Sequence, residues 1–180
     1  MRHWVGITTL RAALCILLLG GYLLWQGCGY HRARTDGPHL AGVATIAIPY
    51  FKNKTFEPEA EKVFTHAFIN EFIKSRRLQI AREHDADLVL RGTIKKLVED
   101  TIVYNRDDKA LEYRMDVVLD LQLERRSTGE VLWKRKNMRH SEEFPVGDSI
   151  VLSEAAKRAA LEKLAADLAE RIHDSIIQGF

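Results

Sequence analysis

The hydrophobic pattern in the middle of the chain predicts an antiparallel pair of strands. From Tyr113 to Leu123 every second residue is apolar, and the residues between them are mostly polar. This period of two predicts a strand with one buried and one solvent-exposed face, as in an antiparallel sheet covered by helices on one side. After a turn, residues 131–140 predict the returning strand, with Val131 and Trp133 facing inward.

Three stretches nearer the start of the chain also predict strands. Residues 43–49 form an almost continuous apolar run that ends at a proline, which is typical of a strand covered on both faces. Residues 78–81 predict either the beginning of a strand or a short edge piece. Residues 88–94 predict a strand that can continue to Tyr104, and the polar residues 105–109 then predict a hairpin loop.

Two segments have the apolar spacing of amphipathic helices. Apolar residues recur three and four positions apart from Pro58 to Arg76 and again from Asp148 to Gln178. Proline suits the first turn of a helix, and Asp148 or Ser149 can cap the second helix. The order of strand, helix, several strands and helix predicts an α+β fold, a two-layer sandwich.

The first 28 residues change this picture, because they indicate export. Arg2 and Arg11 give a positive start, residues 12–19 are apolar, and Gly27 precedes Cys28, which is the layout of a secretory signal. This end resembles the lipobox of bacterial lipoproteins, although Trp25 stands where that motif usually has leucine. The resemblance implies that the sulfur of Cys28 carries fatty acyl chains such as palmitate.

A single transmembrane anchor is the alternative interpretation of this segment. The apolar stretch from Ala12 to Trp25 contains two glycines and is shorter than the roughly 20 residues that a membrane-spanning helix needs. We therefore predict a signal peptide over residues 1–27, a lipidated tether over 28–42 and one α/β domain over 43–180.

Charge and cysteine content exclude several classes of protein. The chain has 27 basic and 25 acidic residues, and loss of Arg2 and Arg11 with the signal would leave the two kinds equal in number. That balance argues against a globally basic nucleic-acid binder. Cys15 would leave with the signal, so Cys28 alone remains, and neither an intramolecular disulfide nor a cysteine-based zinc site is expected.

Sequence motifs of enzymes are absent. The chain has no phosphate-binding glycine motif, no HExxH and no GxSxG, and its seven histidines do not lie at metal-ligand spacing. Its carboxylate pairs fall in predicted turns or at strand ends, where solvated side chains are expected. They are Asp85/Asp87, Glu99/Asp100, Asp107/Asp108 and Glu142/Glu143. We predict a non-enzyme without catalytic or metal-binding residues and without a cofactor other than the lipid on Cys28.

Cations on the exposed sheet face are the candidate binding residues. If the apolar residues of each strand face inward, four cations face outward, and Arg114 joins them on the next strand. Such a row could bind the phosphates of an anionic lipid. The other interpretation is an ordinary solvated face, because acidic residues such as Asp116 and Asp120 are interleaved with the cations. The four candidates are Arg91, Lys95, Lys134 and Lys136.

Three stretches together resemble the LptE family of lipopolysaccharide-assembly lipoproteins. They are Gly27–His31, the strand and loop Ile46–Pro58, and the strand Ala86–Ile94. The resemblance implies two helices packed on one face of a four-stranded, mostly antiparallel sheet. It also implies a non-enzymatic lipoprotein on the periplasmic side of the outer membrane. The charged hairpin near 105–109 departs from the family pattern.

The family resemblance also implies the partners. It implies a plug inside the LptD β-barrel that assists assembly of the barrel and delivery of lipopolysaccharide, and the four candidate cations would then contact lipid phosphates. Gly29 after the cysteine agrees with outer-membrane sorting. The strand and loop at 43–55, followed by a helix and the strand at 86–92, also resemble lipoproteins of the CsgG and LpoB types. A secretion or synthase-regulating lipoprotein therefore stays open as the alternative.

Overall fold

The computed structural model describes residue 40 and residues 42–179. The expected signal peptide over 1–27, Cys28 and nearly all of the expected tether lie outside the described residues. Within the described part of the chain, no helix is long and apolar enough to cross a membrane. The elements are β1 (Thr45–Ala47), β2 (Lys52–Asn53), α1 (Ala60–Ser75), β3 (Gln79–Ile80), β4 (Leu88–Tyr104), β5 (Ala110–Arg125), β6 (Glu130–Pro145) and α2 (Ile150–Gln178).

The sheet has six strands and mixed directions. Strands β3, β1, β4, β5 and β6 are neighbours in that order, and β2 also pairs with β4. Strand β1 is parallel to both β3 and β4, β2 is parallel to β4, and the β4–β5 and β5–β6 pairs are antiparallel. The α+β prediction is confirmed, whereas the four-stranded, mostly antiparallel sheet is wrong in detail.

The parallel pairing of β1 with β3 is compatible with the position of α1 between them in the chain. This helix leads from β2 to β3 on one side of the sheet, so the chain returns to the sheet in the same direction. The apolar run at 43–49 forms only a three-residue strand, because Pro49 ends it and the chain rejoins β4 a few residues later as β2. Residues 78–81 contribute β3, which is the short edge piece that the pattern allowed.

Both helices cover the same face of the sheet. Phe64, Phe68 and Phe72 of α1 and Leu164 of α2 are fully buried and belong to one apolar cluster with the inward residues of β4 and β5. The side chain of Ser149 caps α2 by accepting a hydrogen bond from the N–H of Leu152 at 3.3 Å. The opposite face of the sheet, called the outer face below, has no helix over it in the described part of the chain.

Gly92 in β4 allows one close contact within this core. A Cβ atom at Gly92 would lie 2.4 Å from Cδ2 of Phe51, which is far inside van der Waals contact. The Phe51 ring in turn packs against Phe68 of α1, with ring centroids 5.0 Å apart. The missing side chain therefore lets the loop after β1 lie under the sheet and against the first helix.

The long hairpins match the prediction with one local correction. Residues 105–109 form the expected loop, in which the side chain of Asn105 accepts hydrogen bonds from the backbone N–H groups of Asp107 and Lys109. Trp133 is buried as predicted, at 6% exposure, but the inward prediction for Val131 is wrong, because its side chain is 47% exposed. A register shift between Leu123 and Glu124 turns Val131 to the outer face.

A candidate anion-binding groove

A shallow groove of about 270 Å³ crosses the outer face of the sheet. Arg91 of β4 is in register with Gln122 of β5, and Gln122 is in register with Lys134 of β6, so the three side chains form one row across the strands. Three of the four candidate cations line the groove, together with a lysine of β2 and two acidic residues. These lining residues are Lys52, Arg91, Lys134, Lys136, Asp120 and Glu124.

Arg91 reaches the outer face because its strand neighbours Leu90 and Gly92 are buried on the inner face. Its guanidinium is held by two carboxylates, with Nη2 at 2.5 Å from Glu83 and Nε at 3.5 Å from Glu124. The hydrogen bond to Glu83, more than any other contact, raises the pKa of Arg91. The two carboxylates therefore hold the Arg91 side chain in place and offset its positive charge.

Lys95 lies beside the groove at a bulge in β4. The register shifts between Ile94 and Lys96, and the Lys95 amino group donates a hydrogen bond to the Asn137 side chain at 2.6 Å. The same amino group lies 3.5 Å from a carboxylate oxygen of Asp120.

Asp120 of β5 contacts both neighbouring strands, β4 and β6, at this point. Its carboxylate accepts a hydrogen bond from the backbone N–H of Asn137 at 2.7 Å, and that bond, followed by the charges of Lys95 and Lys136, lowers the pKa of Asp120. Asn137 has a φ of 56°, in the left-handed region that asparagine tolerates better than most residues. The hydrogen bond to Asp120 thereby fixes the backbone directly after Lys136.

Lys134 and Lys136 are two cations of the groove that form no ion pair with another described residue. Within the described residues, neither amino group lies within salt-bridge distance of a carboxylate, although the charge of Lys136 acts on Asp120. Arg114, by contrast, lies outside the groove and pairs with Glu143 at 2.8 Å. The groove thus presents three ammonium groups without an ion pair to another described residue, those of Lys52, Lys134 and Lys136, beside a neutralised arginine. Such an arrangement can bind a phosphate or another anion.

The sequence pattern missed two contributors to this surface. Lys52 was assigned to a loop, but it belongs to β2 and is in register with Thr93. Asn137 had no apparent role, and its significance depends on a bulge that periodicity does not reveal. Two polar residues carry no periodic signal, so no sequence pattern indicates a strand at Lys52–Asn53.

One carboxylate pair has a structural role that the sequence did not indicate. Asp87 is not simply solvated, because its Oδ2 accepts hydrogen bonds from the N–H of Ala44 at 2.9 Å and from the N–H and hydroxyl of Thr45 at 3.0 and 2.8 Å. These bonds, the one from Ala44 first, lower the pKa of Asp87.

No group of three or more potential metal ligands occurs among residues 40 and 42–179.

One family model matches most of the chain. The model described as LptE, lipopolysaccharide-assembly, matches residues 43–176, which include every strand and nearly all of both helices. No match was found among curated proteins.

Solved structures share the fold at low sequence identity. Protein XCC0632 from Xanthomonas campestris has a TM-score of 0.53 at 14% identity, with 76% of this chain and 85% of that chain covered. Protein CT253 from Chlamydia trachomatis has a TM-score of 0.51 at 8% identity, covering 74% and 98%. The rare lipoprotein B from Shewanella oneidensis has a TM-score of 0.50 at 14% identity, covering 72% and 92%. These similarities concern the fold alone.

Proposed function

Since the chain belongs to the LptE family of lipopolysaccharide-assembly proteins, we propose that it is an outer-membrane lipoprotein that plugs an LptD-type β-barrel. In this role it assists assembly of the barrel and takes part in insertion of lipopolysaccharide at the outer membrane. The family is non-enzymatic, and the chain accordingly is not an enzyme. The acyl chains on Cys28 hold the domain on the periplasmic side, since two or more chains give stable membrane attachment.

The outer face of the sheet, which no helix of the described residues covers, is the observation that carries this proposal. Both helices pack on the other face, and the outer face carries cations and carboxylates side by side. Barrel interiors are polar, so a polar sheet of mixed sign suits a lumen better than an apolar sheet would. A face of this kind can be covered by a polar wall without leaving apolar surface in water.

Lys134 and Lys136 are the proposed contacts for lipopolysaccharide phosphates. They lie in one groove with Arg91, and no carboxylate of the described chain lies within salt-bridge distance of their ammonium groups. Arg91 and Lys95 border the same site but already pair with Glu83 and Asp120, so they contribute mainly by shaping it. Phosphate oxygens bound by lysine form charge-assisted hydrogen bonds, which are stronger than neutral ones.

Affinity purification tests the plug role. The epitope-tagged full-length lipoprotein is extracted from outer membranes in mild detergent and purified by its tag. We expect a large β-barrel to co-purify, at about one barrel for each copy of the lipoprotein. Recovery of a peptidoglycan synthase, or of a homo-oligomer without any barrel, would refute the plug role and favour the LpoB or CsgG type of function.

Charge reversal tests the lipid site. The double substitution Lys134→Glu and Lys136→Glu is expected to weaken binding of fluorescent lipopolysaccharide at least tenfold, because two phosphate contacts of about 1 kcal/mol each are lost and repulsion is added. The matched control, Arg106→Glu with Lys109→Glu, makes the same change of charge in the hairpin loop about 40 Å away, judged from the rise per strand residue.

Binding should be unchanged in that control. Equal weakening in both double variants would mean that only overall charge matters, and unchanged binding in the Lys134 and Lys136 variant would remove the groove from the lipid path.

A further inference from the structure

Among the described residues, strand β4 has about half of one edge unpaired. On one side it pairs with β5 along its whole length, from Leu88 to Tyr104. On the other side it pairs with β1 at Leu88 and Val89 and with β2 at Thr93 and Ile94. Beyond Ile94, no described residue pairs with this side of the strand. The main-chain groups there are open to another strand.

Six residues of this edge have a regular strand geometry. Lys96 to Thr101 pair with Val118 to Tyr113 of β5 without interruption, and register shifts bound the segment on both sides. Six residues is about the most common length of a strand in globular proteins. We call Lys96–Thr101 the open edge of β4. Its length and regularity fit the addition of one short strand.

The position of β2 limits what can occupy the open edge. The backbone N–H of Lys54 donates to the carbonyl of Ile94 at 2.9 Å, so β2 fills the place beside β4 up to Ile94, two residues before the open edge begins. If the open edge paired with β4 of a second copy of this chain, the long β4–β5 hairpin of that copy would overlap the place that β2 fills. An added strand must therefore be short, or must turn away where β2 begins.

The side chains of the open edge indicate the chemistry of the added strand. Lys96 pairs with Val118 on the outer face, and Val98 and Asp100 follow it on that face in steps of two. A strand lying beside them is stabilised by an acidic residue opposite Lys96, a β-branched residue opposite Val98 and a basic residue opposite Asp100. At the far end, Val103 and Tyr104 are exposed by 37% and 59% and offer apolar contact.

We propose that the open edge of β4 pairs with a short extended loop of the β-barrel partner that folds into the barrel lumen. The choice of partner rests on the proposed function. Wall strands of a closed barrel already pair on both sides and have no free edge, so they cannot supply the added strand. A loop that carries the acidic, β-branched and basic pattern described above satisfies the open backbone groups and the charges of the edge together.

Site-specific photo-crosslinking in cells tests the pairing. A photoreactive phenylalanine analogue replaces Val98, or in the matched control Ser141, which lies on β6 in the same row because both residues are in register with Asp116. We expect Val98 to cross-link to one loop segment of the co-purifying barrel and Ser141 not to reach that segment. Cross-links from Val98 only to wall strands, or no cross-link in a recovered complex, would overturn the inference.

Proline substitution tests whether backbone bonds are involved. In an antiparallel pair, successive N–H groups point alternately towards the neighbouring strand and away from it. One of the two variants Val98→Pro and Glu99→Pro therefore removes an N–H group of the open side and leaves the β4–β5 bonds intact. Thermal melting identifies that variant as the one that keeps its fold.

For this test the photoreactive analogue replaces Lys96, and it is combined with the proline substitution that keeps the fold. The yield of cross-links from position 96 to the loop should fall by at least four-fifths, while the barrel still co-purifies. Undiminished cross-linking in that variant would refute strand addition. Failure of any barrel to co-purify with the wild-type chain would refute the proposed function and this inference together. A barrel that co-purifies without the loop cross-link would refute this inference alone.

Discussion

Removal of the Asp87 carboxylate should destabilise the start of the sheet. One oxygen of Asp87 accepts three hydrogen bonds from Ala44 and Thr45, at 2.8 to 3.0 Å. The hydroxyl of Thr45 in turn accepts a hydrogen bond from the backbone N–H of Asp87 at 2.9 Å. These bonds fix the beginning of β1 against the beginning of β4. Alanine at position 87 would leave the Ala44 and Thr45 donors without that acceptor.

The expected size of the effect follows from these bonds. A hydrogen bond to a charged group contributes about 1.5–3 kcal/mol when buried, but the site is only partly buried and water can replace the carboxylate at Ala44. We therefore expect Asp87→Ala to lower the free energy of unfolding by about 2 kcal/mol, and Asp87→Asn, which keeps one acceptor oxygen, by about 1 kcal/mol. At about 4 °C per kcal/mol, the melting temperatures fall by about 8 °C and 4 °C.

The pH dependence gives a second test. The native pKa of Asp87 is lowered, so its contribution to stability is present above the unfolded-state value of about 3.9 and is lost as the pH falls through the native pKa. The difference between wild type and Asp87→Asn should shrink in acid. Thermal unfolding followed by circular dichroism, at pH 7 and at decreasing pH, measures this difference in stability. Both proteins carry Cys28→Ser, which removes the predicted lipidation site.

Asp85, two residues before Asp87, is the control, because it is exposed and its carboxylate lies near His84 rather than near a strand. Asp85→Asn should leave the melting temperature within about 1 °C. Equal melting temperatures for wild type and Asp87→Ala at pH 7, or a difference that persists unchanged in acid, would refute the reasoning.

Two further substitutions test the sheet itself. Gly92→Ala should lower stability to urea by about 1–3 kcal/mol because the new methyl group overlaps the Phe51 ring, and the loss should be smaller in a Phe51→Leu background. Asn137→Val should destabilise the chain by about 1–2 kcal/mol more than Asn137→Gly, because the backbone has a positive φ at that position. Equal melting temperatures for the two Asn137 variants would contradict that explanation.

Periodicity predicted the long elements correctly because each buries one continuous face. The alternation from Tyr113 to Leu123 corresponds to β5, whose inward residues are almost fully buried. The helical spacing at the end of the chain corresponds to α2, which begins at Ile150 after the predicted cap at Ser149. A long element repeats the same hydrophobic pattern many times, so single exceptions do not obscure the pattern.

The short strands and local irregularities were not predictable in this way. Strands β2 and β3 have two residues each and carry no period of their own, and their partners lie far away in the sequence. The bulge at Lys95 and the register shift beside Val131 each change which face a side chain occupies. Shifts of one residue reverse the faces of a strand, and only cross-strand packing determines where they occur.

The candidate groove combines both kinds of information. Alternation with buried neighbours placed Arg91 on the outer face, as the structure has it. Its pairing with Glu83 and the contact of Lys95 with Asn137 depend on the side chains of other strands and loops. The same holds for the lack, among the described residues, of a carboxylate within salt-bridge distance of Lys134. Sequence alone could not distinguish compensated cations from open ones.

The sequence by itself determined the α+β class, the long strands and helices, the face that each buries, and the resemblance to one family. These follow from local periodicity and from short motifs, which depend on neighbouring residues. The tertiary structure alone decided the parallel pairing of β1, β2 and β3, the distribution of ion pairs on the outer face and the open edge of β4. Those features arise where segments distant in the sequence meet. The free energy of such contacts depends on the residues of both segments, so neither segment alone predicts it.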